Sequence, residues 1–292
     1  MTKPRRLGIA LGVLGVILFG GTLPVTRLTI GSIDPLFLTA ARDSIAGVAG
    51  LILLLVLRRR IPARQAWSPI LFGGLCTVVG FPVLMALAMV TVPAAHGGVV
   101  LGIVPLATAA AAAIVAHERP SAGFWTVSAA GTAIVVSFVL SRPEARAFAA
   151  GDLFLFGTVL AGAFGYAWSG RLSQTMPGWE VISWQVAIFL PISLAALILL
   201  RPHAVSGIPA AAWVGVAYVG LVSQFFAFFV FNAGMAMAGV ARAGQLMLLQ
   251  PFVIVMLAAV IDGEPIQFDT VAYAGAVVAT VLVGQRMPVR RK

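Results

Sequence analysis

The sequence predicts an all-α integral membrane protein whose ten transmembrane helices form two inverted five-helix repeats. The first observation is composition: 61% of the residues are hydrophobic, 10% are charged, and the mean hydropathy is +1.05. Such values lie far outside those of soluble globular domains. The second is the length of the apolar runs, close to twenty residues, which suits a hydrocarbon core about 30 Å thick. The third is an internal resemblance between the two halves.

Apolar runs and chain breakers indicate where each helix crosses the membrane. The predicted spans are residues 7–26, 35–57, 69–90, 96–116, 121–140, 152–171, 180–200, 211–232, 240–261 and 269–286. The opening basic and apolar stretch resembles a signal peptide. We interpret it as a retained first helix, because no small-residue cleavage site follows. No loop is long enough to fold as a separate soluble domain.

Two segments, one in each half, resemble each other. Residues 105–118 read PLATAAAAAIVAHE, and residues 251–264 read PFVIVMLAAVIDGE. Each places a proline within an apolar helix and a glutamate thirteen residues later in a turn, and a Gly/Ala-rich apolar span follows. The offset of 146 residues is half of the 292-residue chain, and it also pairs His96 with Arg242. We therefore predict a duplicated chain.

The predicted repeats comprise residues 1–145 and 146–292 and form one membrane domain. Each repeat holds five spans, an odd number, so matching helices must cross the membrane in opposite directions. An inverted repeat of this kind suits a transporter that opens to either side of a site near the midplane. We expect Glu118 in a cytoplasmic turn and Glu264 in an external one.

Basic residues indicate the orientation. If the N-terminus is inside, 13 basic residues face the cytoplasm: Lys3, Arg5, Arg6, Arg58, Arg59, Arg60, Arg64, Arg119, Arg171, Arg286, Arg290, Arg291 and Lys292. Only 4 face the other side: Arg27, Arg142, Arg146 and Arg201. The positive-inside rule then places both termini in the cytoplasm of a bacterial-type inner membrane.

Several function classes are disfavoured. No GxxxxGK[ST] motif is present, so direct ATP drive is not expected. The lone Cys76 and the scattered histidines offer no metal or cofactor site. The sequence also lacks a catalytic dyad within spans and a ring of charges or carbonyl filter, which disfavours an embedded enzyme and a pore. The basic residues cluster at alternate loops and not on one face, so nucleic acid is not an expected partner.

Two features resemble the drug/metabolite transporter superfamily, specifically its EamA-type ten-helix exporters. They are the early arginine of the second span, in DPLFLTAARDSIAG, and the Pro–Glu–Gly pattern at 105–131 and 251–275. The arginine is Arg42, and Gln185 stands roughly where it would repeat. The resemblance covers nearly the whole chain. It implies an exporter of small metabolites, most similar to exporters of amino acids, including aromatic ones.

The expected function is therefore secondary export by alternating access, with a small-molecule substrate, the lipid bilayer as surroundings and the monomer as the working unit. Facilitated diffusion is favoured over obligatory proton coupling, because carboxylates deep within spans are nearly absent and Asp43 is the best candidate for one. A multidrug or other metabolite efflux carrier, with proton coupling through His96 or Asp43, is the alternative.

Polar side chains within spans are costly unless they face protein or a wet cavity, so they are the candidates for the substrate pathway. They are His96, Trp168, Tyr166, Gln245, Arg242, Gln224, Trp184, Gln185 and Arg42. Pro105 and Pro251 are candidate hinges, because proline removes a helical donor. Simple kinking is the alternative for both prolines.

Each candidate has a structural alternative. Arg42 could bind a substrate carboxylate or satisfy helix ends, and His96 and Arg242 could flank a cavity or cap helices at the interface. The phenylalanines near Gln224 are expected mostly to face lipid or to pack helices. Gln250 could repair main-chain groups freed by Pro251.

Overall fold

The computed structural model describes residues 3–91, 100–141, 151–201, 207–262 and 268–291. The helices in chain order are α1 (Lys3–Gly20 and Thr22–Ile30), α2 (Pro35–Val56), α3 (Arg64–Thr91), α4 (Val104–Val115), α5 (Ala122–Leu140), α6 (Gly151–Leu172), α7 (Gly178–Leu199), α8 (Ala210–Ala238), α9 (Val240–Gln245, Leu246–Leu249 and Gln250–Asp262) and α10 (Phe268–Arg286).

Seven of these helices are long and apolar enough to cross a membrane: α1, α2, α3, α6, α7, α8 and α10. The other three, α4, α5 and α9, are shorter apolar helices. Every predicted span overlaps one of the ten. The all-α membrane class is therefore confirmed, while ten crossings stay a prediction.

Local chemistry explains where α2 begins. The Asp34 carboxylate accepts hydrogen bonds from the main-chain nitrogens of Leu36 and Phe37, at 2.9 and 3.0 Å. Pro35 occupies the first helical position, where its missing N–H costs nothing. The Asp-Pro pair therefore starts this span sharply at the predicted residue.

Two long helices contain a π-helical segment near their middle. Leu75–Gly80 interrupts α3, and Tyr218–Phe226 interrupts α8. The sequence predicts neither, because apolar pattern alone does not distinguish a π turn from an α turn. Such segments are rare and often lie at functional sites. Their position indicates a functional site at the centre of the bundle.

Extensive contacts between helices include those of α1 with α8, α2 with α7, α3 with α6, α4 with α6 and with α9, and α5 with α10. Glycines permit the closest approach between α1 and α8. A Cβ atom on Gly234 would lie 2.8 Å from the carbonyl oxygen of Gly8. Small residues at such crossings are how membrane helices come into close van der Waals contact.

One end of the bundle is held by polar contacts; we call it the capped end and define it by residues 115–120, 171, 240–242 and 287–291. Arg171 donates to the carbonyl of Val115 at 3.2 Å, which joins the ends of α6 and α4. Arg242 donates to the carbonyl of Met287 at 3.0 Å, which joins the start of α9 to the end of α10.

A small antiparallel sheet completes the capped end. Strand β1 (Glu118–Pro120) pairs with β2 (Val289–Arg291), with Arg119 opposite Arg290. The sequence does not predict these strands, because three residues are too few to show an alternating pattern. The pairing ties the turn after α4 to the segment after α10.

Candidate functional site

A cavity lies at the centre of the helices, beside both π segments. The space between its lining atoms totals about 560 Å³, which includes open solvent at its mouth. Its polar lining comprises Thr22, Arg42, Thr77, Ser223, Gln224 and Gln250, and its aromatic lining comprises Phe19, Phe81, Tyr166 and Phe228. A mostly apolar surface with a few oriented polar groups is typical of small-molecule sites.

Arg42 supplies a buried positive charge in this cavity. Its side chain projects from α2 and is 5% exposed, and one guanidinium nitrogen, Nη2, donates a hydrogen bond to Oε1 of Gln224. The Nε atom lies 3.7 Å from Oδ1 of the buried Asp43, so these neighbours in the sequence do approach each other. A guanidinium in such a place is costly unless it is paired, and it favours planar anionic groups such as carboxylates.

Gln224 satisfies a main-chain carbonyl that α3 leaves without its helical donor. In the π segment, the main-chain N–H of Phe81 bonds to the carbonyl of Cys76. The next donor would come from residue 82, which is proline and has no N–H. The carbonyl of Thr77 instead accepts a hydrogen bond from Nε2 of Gln224 at 3.1 Å.

Aromatic rings form one wall of the cavity. The ring centroid of Tyr166 lies 5.2 Å from that of Phe231 and 6.0 Å from that of Phe228. Phe19 meets Phe228 edge-on at 5.0 Å. Tilted and edge-on contacts at these distances stabilise aromatic clusters, so the wall presents a packed aromatic surface.

Hydroxyl groups join α1 to α8 beside the cavity. The side-chain oxygens of Thr22 and Ser223 lie 2.7 Å apart, and Tyr218 donates to the carbonyl of Leu18 at 2.9 Å. Both contacts involve the π segment of α8. They place Ser223 and Gln224 at fixed positions opposite α2.

A smaller groove continues from the cavity. The two share Leu101, Met247 and Gln250, and the groove runs on past Gly102 and Pro251. Because α4 ends and α9 begins at the capped end, these residues lie toward the opposite end of the bundle. The cavity therefore extends away from the capped end.

Three of the predicted site residues line the cavity: Arg42, Tyr166 and Gln224. Two others are tryptophans that pack elsewhere. Trp168 stacks on Phe72, with ring centroids 6.0 Å apart, and Trp184 meets Trp67 at 6.4 Å. Neither tryptophan lines the cavity.

The remaining amides and Arg242 make contacts between helices. Gln185 donates to the hydroxyl of Ser169 at 3.0 Å, and Gln245 donates to that of Ser128 at 3.4 Å. Both amides are fully buried. Arg242 holds the capped end, as described above. His96 lies outside the described residues.

The two candidate hinge prolines lie at interruptions of the helical chain. Pro105 occupies the first turn of α4, directly after a turn at Gly102 and Ile103, so it is not in a helix interior. Pro251 is the second residue of the helical segment that follows the 3₁₀ turn Leu246–Leu249. Their role as hinges stays a prediction.

Sequence reasoning missed most of the lining. Phe19, Thr22, Thr77, Ser223 and Phe228 all face the cavity. The sequence offered only a weak indication of these positions, namely single hydroxyl side chains within strongly apolar spans. Gln250 also lines the cavity, and its Nε2 lies 3.5 Å from the carbonyl of Phe19.

Among the described residues, no group of three or more His, Cys, Asp or Glu side chains could hold a metal ion. The described part of the lining offers one cation, several neutral hydrogen-bonding groups and aromatic surface. Such groups can bind a small molecule through charge, hydrogen bonds and apolar contact.

Comparison with solved structures supports the fold. A crystal structure superposes with a TM-score of 0.76 at 20% identity, covering 96% of this chain and 98% of the other. This likeness concerns the fold alone.

Relatives with similar sequences are transporters by name. The uncharacterized transporter YdeK of Bacillus subtilis is 38% identical over 275 residues, which are 94% of this chain and 96% of YdeK. A probable terminal-alkyne amino-acid exporter of Streptantibioticus cattleyicolor is 25% identical over 288 residues, 96% of this chain and 94% of that protein. The EamA-like transporter family matches residues 6–141 and again 149–283. The chain therefore belongs to the EamA-like transporter family.

Proposed function

We propose that the protein exports amino acids, including aromatic ones, as a secondary transporter. The observation that carries the proposal is the buried guanidinium of Arg42 beside an aromatic wall. A carboxylate would pair with Arg42, while an apolar or aromatic side chain would lie against Tyr166 and Phe228. The amino-acid exporter among the relatives adds support.

We propose alternating access through an inverted repeat. If each helix of the first half is replaced by the matching helix of the second half and vice versa, the α1–α8 contact becomes the α6–α3 contact. The α2–α7, α4–α9 and α5–α10 contacts each map onto themselves. The turn after α4 meets the start of α9 at the capped end, which supports opposite directions for these two helices. The family match, once in each half, agrees with this duplication.

The capped end would face the cytoplasm of the inner membrane. The loops rich in basic residues lie at or next to the capped end. For example, Arg59, in the loop after α2, forms an ion pair of 3.2 Å with Glu180 at the start of α7. The positive-inside rule then places both termini in the cytoplasm. In this orientation, the cavity extends toward the outside.

Facilitated diffusion is the favoured drive, because no described Asp or Glu side chain lines the cavity. Asp43 favours one alternative, a proton-coupled efflux carrier for drugs or other metabolites. Its carboxylate is buried beside Arg42 and so could link protonation to the charge in the cavity.

The test is counterflow in proteoliposomes that contain purified protein. Unlabelled leucine, tryptophan, nucleosides or hydrophobic cations are loaded inside, and uptake of labelled tryptophan is measured. We expect amino acids to drive uptake and to saturate it. Arg42→Ala should lower the apparent affinity for tryptophan at least about tenfold, which corresponds to about 1.4 kcal/mol.

Arg171→Ala is the control, because it removes an arginine at the capped end without touching the cavity. Counterflow driven by hydrophobic cations and not by amino acids would replace the proposal with the multidrug alternative. Linear, non-saturating flux would indicate a pore.

A further inference from the structure

Gln224 holds the one described cation of the cavity lining with a neutral oxygen. We propose that Gln224 is an internal stand-in for the substrate: its amide oxygen occupies Arg42 in the empty cavity, and the carboxylate of an amino acid replaces it. The inference rests on the proposed amino-acid export and names the group through which the substrate is recognised.

Replacing the amide oxygen of Gln224 with a substrate carboxylate should strengthen the hydrogen bonding of the Arg42 guanidinium. An amide oxygen is a neutral acceptor, whereas a carboxylate carries a charge and can accept two parallel N–H bonds from a guanidinium. Charged hydrogen bonds are about twice as strong as neutral ones. The amide therefore keeps the guanidinium hydrogen-bonded until a stronger acceptor arrives, and then it yields.

Gln224 does not become unpaired when its oxygen leaves Arg42. Its Nε2 still donates to the carbonyl of Thr77, which lacks its helical donor because residue 82 is proline. This second bond holds the side chain close to the cavity. The bound substrate can therefore depart and the original contact can form again.

The exchange also changes a link between the halves. Arg42 belongs to α2 in the first half, and Gln224 belongs to the π segment of α8 in the second. Substrate binding would break this bond across the cavity, while the bond from Gln224 to Thr77 of α3 remains. Occupancy of the cavity thereby alters which helices α8 is joined to, as alternating access requires.

The exchange requires a neutral acceptor at residue 224. A glutamate there would form a permanent ion pair with Arg42, and it would offer no donor to the carbonyl of Thr77. It would act as a carboxylate that cannot leave. Carboxylate-bearing ligands should then lose their site, while ligands without a carboxylate should not.

The experiment measures equilibrium binding of tryptophan and of tryptophanamide to purified protein. We expect Gln224→Glu to raise the Kd for tryptophan at least about tenfold and to change the Kd for tryptophanamide less than about threefold. Gln250→Glu is the matched control, because it adds the same charge to the same cavity at a side chain that contacts the carbonyl of Phe19 and not Arg42. It should change the ratio of the two Kd values less than about threefold.

A second variant separates a stand-in from a direct substrate contact. Gln224→Met removes the competing oxygen at similar volume, so the Kd for tryptophan should stay the same or fall. A residue that binds the substrate itself would give a higher Kd in this variant. Should Gln224→Glu fail to purify as a folded protein, the Gln224→Met result decides alone.

The inference is overturned if Gln224→Glu weakens both ligands equally, if Gln250→Glu reproduces its ratio, or if Gln224→Met weakens tryptophan. Failure of the proposed function has a different signature, in which the unsubstituted protein binds no amino acid at all.

Discussion

The carboxylate of Glu118 lies 2.8 Å from the main-chain nitrogen of Val240 and caps the start of α9. Its second oxygen accepts from the nitrogen of Ala241 at 2.9 Å, and the side chain is 2% exposed. A carboxylate at a helix N-terminus satisfies free N–H groups and complements the helix dipole. The glutamate that stood out in the repeat therefore has a structural function: it joins the turn after α4 to α9.

We expect Glu118→Ala to destabilise the protein. It leaves two buried N–H groups unpaired, each at a cost of about 1–3 kcal/mol. The melting temperature in detergent should fall by about 5 °C or more. Glu180→Gln is the control, since Glu180 also lies in the first turn of a helix near the capped end but pairs with Arg59, which is 38% exposed. Equal melting temperatures for the two variants would contradict a capping function.

Close contact between α1 and α8 should not tolerate even a methyl group at Gly234. Its Cβ would lie 2.8 Å from the carbonyl oxygen of Gly8 and 2.9 Å from the nitrogen of Gly12. Main-chain atoms cannot move aside as a side chain can, so Gly234→Ala should cost about 1–3 kcal/mol. Thermal unfolding measures this loss. Gly275→Ala, on α10 with nothing within 4 Å of the added Cβ, should be neutral or stabilising.

Selectivity for aromatic substrates should depend on Phe228. Its ring lines the cavity beside Phe19, whereas the nearby Phe226 is 50% exposed toward the surroundings of the bundle. Phe228→Leu should raise the Kd for tryptophan about tenfold and the Kd for alanine less than about threefold, because an aromatic contact is lost at similar volume. Phe226→Leu should change neither. Equal losses for both ligands would show that the aromatic wall does not select.

Labelling of single cysteines tests the inverted arrangement. In a Cys76→Ser background, we expect Ser32→Cys and Gly207→Cys to react with a membrane-impermeant maleimide in intact cells. Arg60→Cys and Thr175→Cys should react only after the membrane is opened. All four positions are exposed, and they lie between helices at alternating ends of the bundle. Labelling of Ser32→Cys and Gly207→Cys from opposite sides would rule out the inverted repeat.

The ends of the helices could be predicted because local residues determine them. The span predicted at 35–57 is α2, Pro35–Val56, and the span predicted at 269–286 is α10, Phe268–Arg286. Prolines, glycines and charged turns mark these boundaries, and the length of an apolar run needs no tertiary information. The resemblance between the two halves could also be noticed, because it recurs at a fixed offset.

Only some of the residues that line the cavity could be predicted. Arg42, Tyr166 and Gln224 face it, but Trp168 and Trp184 pack against other aromatic rings. In a soluble helix, an apolar stripe reveals the buried face. Here both lipid and neighbouring helices favour apolar side chains, so the pattern carries little information on which face points inward.

Contacts that depend on an absent hydrogen bond were not predictable. The bond from Gln224 to the carbonyl of Thr77 exists because a π segment and Pro82 together leave that carbonyl without its helical donor. Neither the segment nor the partner helix is visible in the local sequence. Such sites require tertiary structure.

Under the proposed duplication, the positions of the two π segments bear on how the protein evolved. Shifted by the 146-residue offset, Leu75–Gly80 falls within Tyr218–Phe226. A π turn closes its hydrogen bond one residue further along the chain than an α turn does, so it is locally wider. Under the proposed duplication, a wide turn at the same place in both halves would have been present before the doubling. The half-length ancestor would already have carried the widened turn, and doubling would have brought two copies of it to one shared cavity.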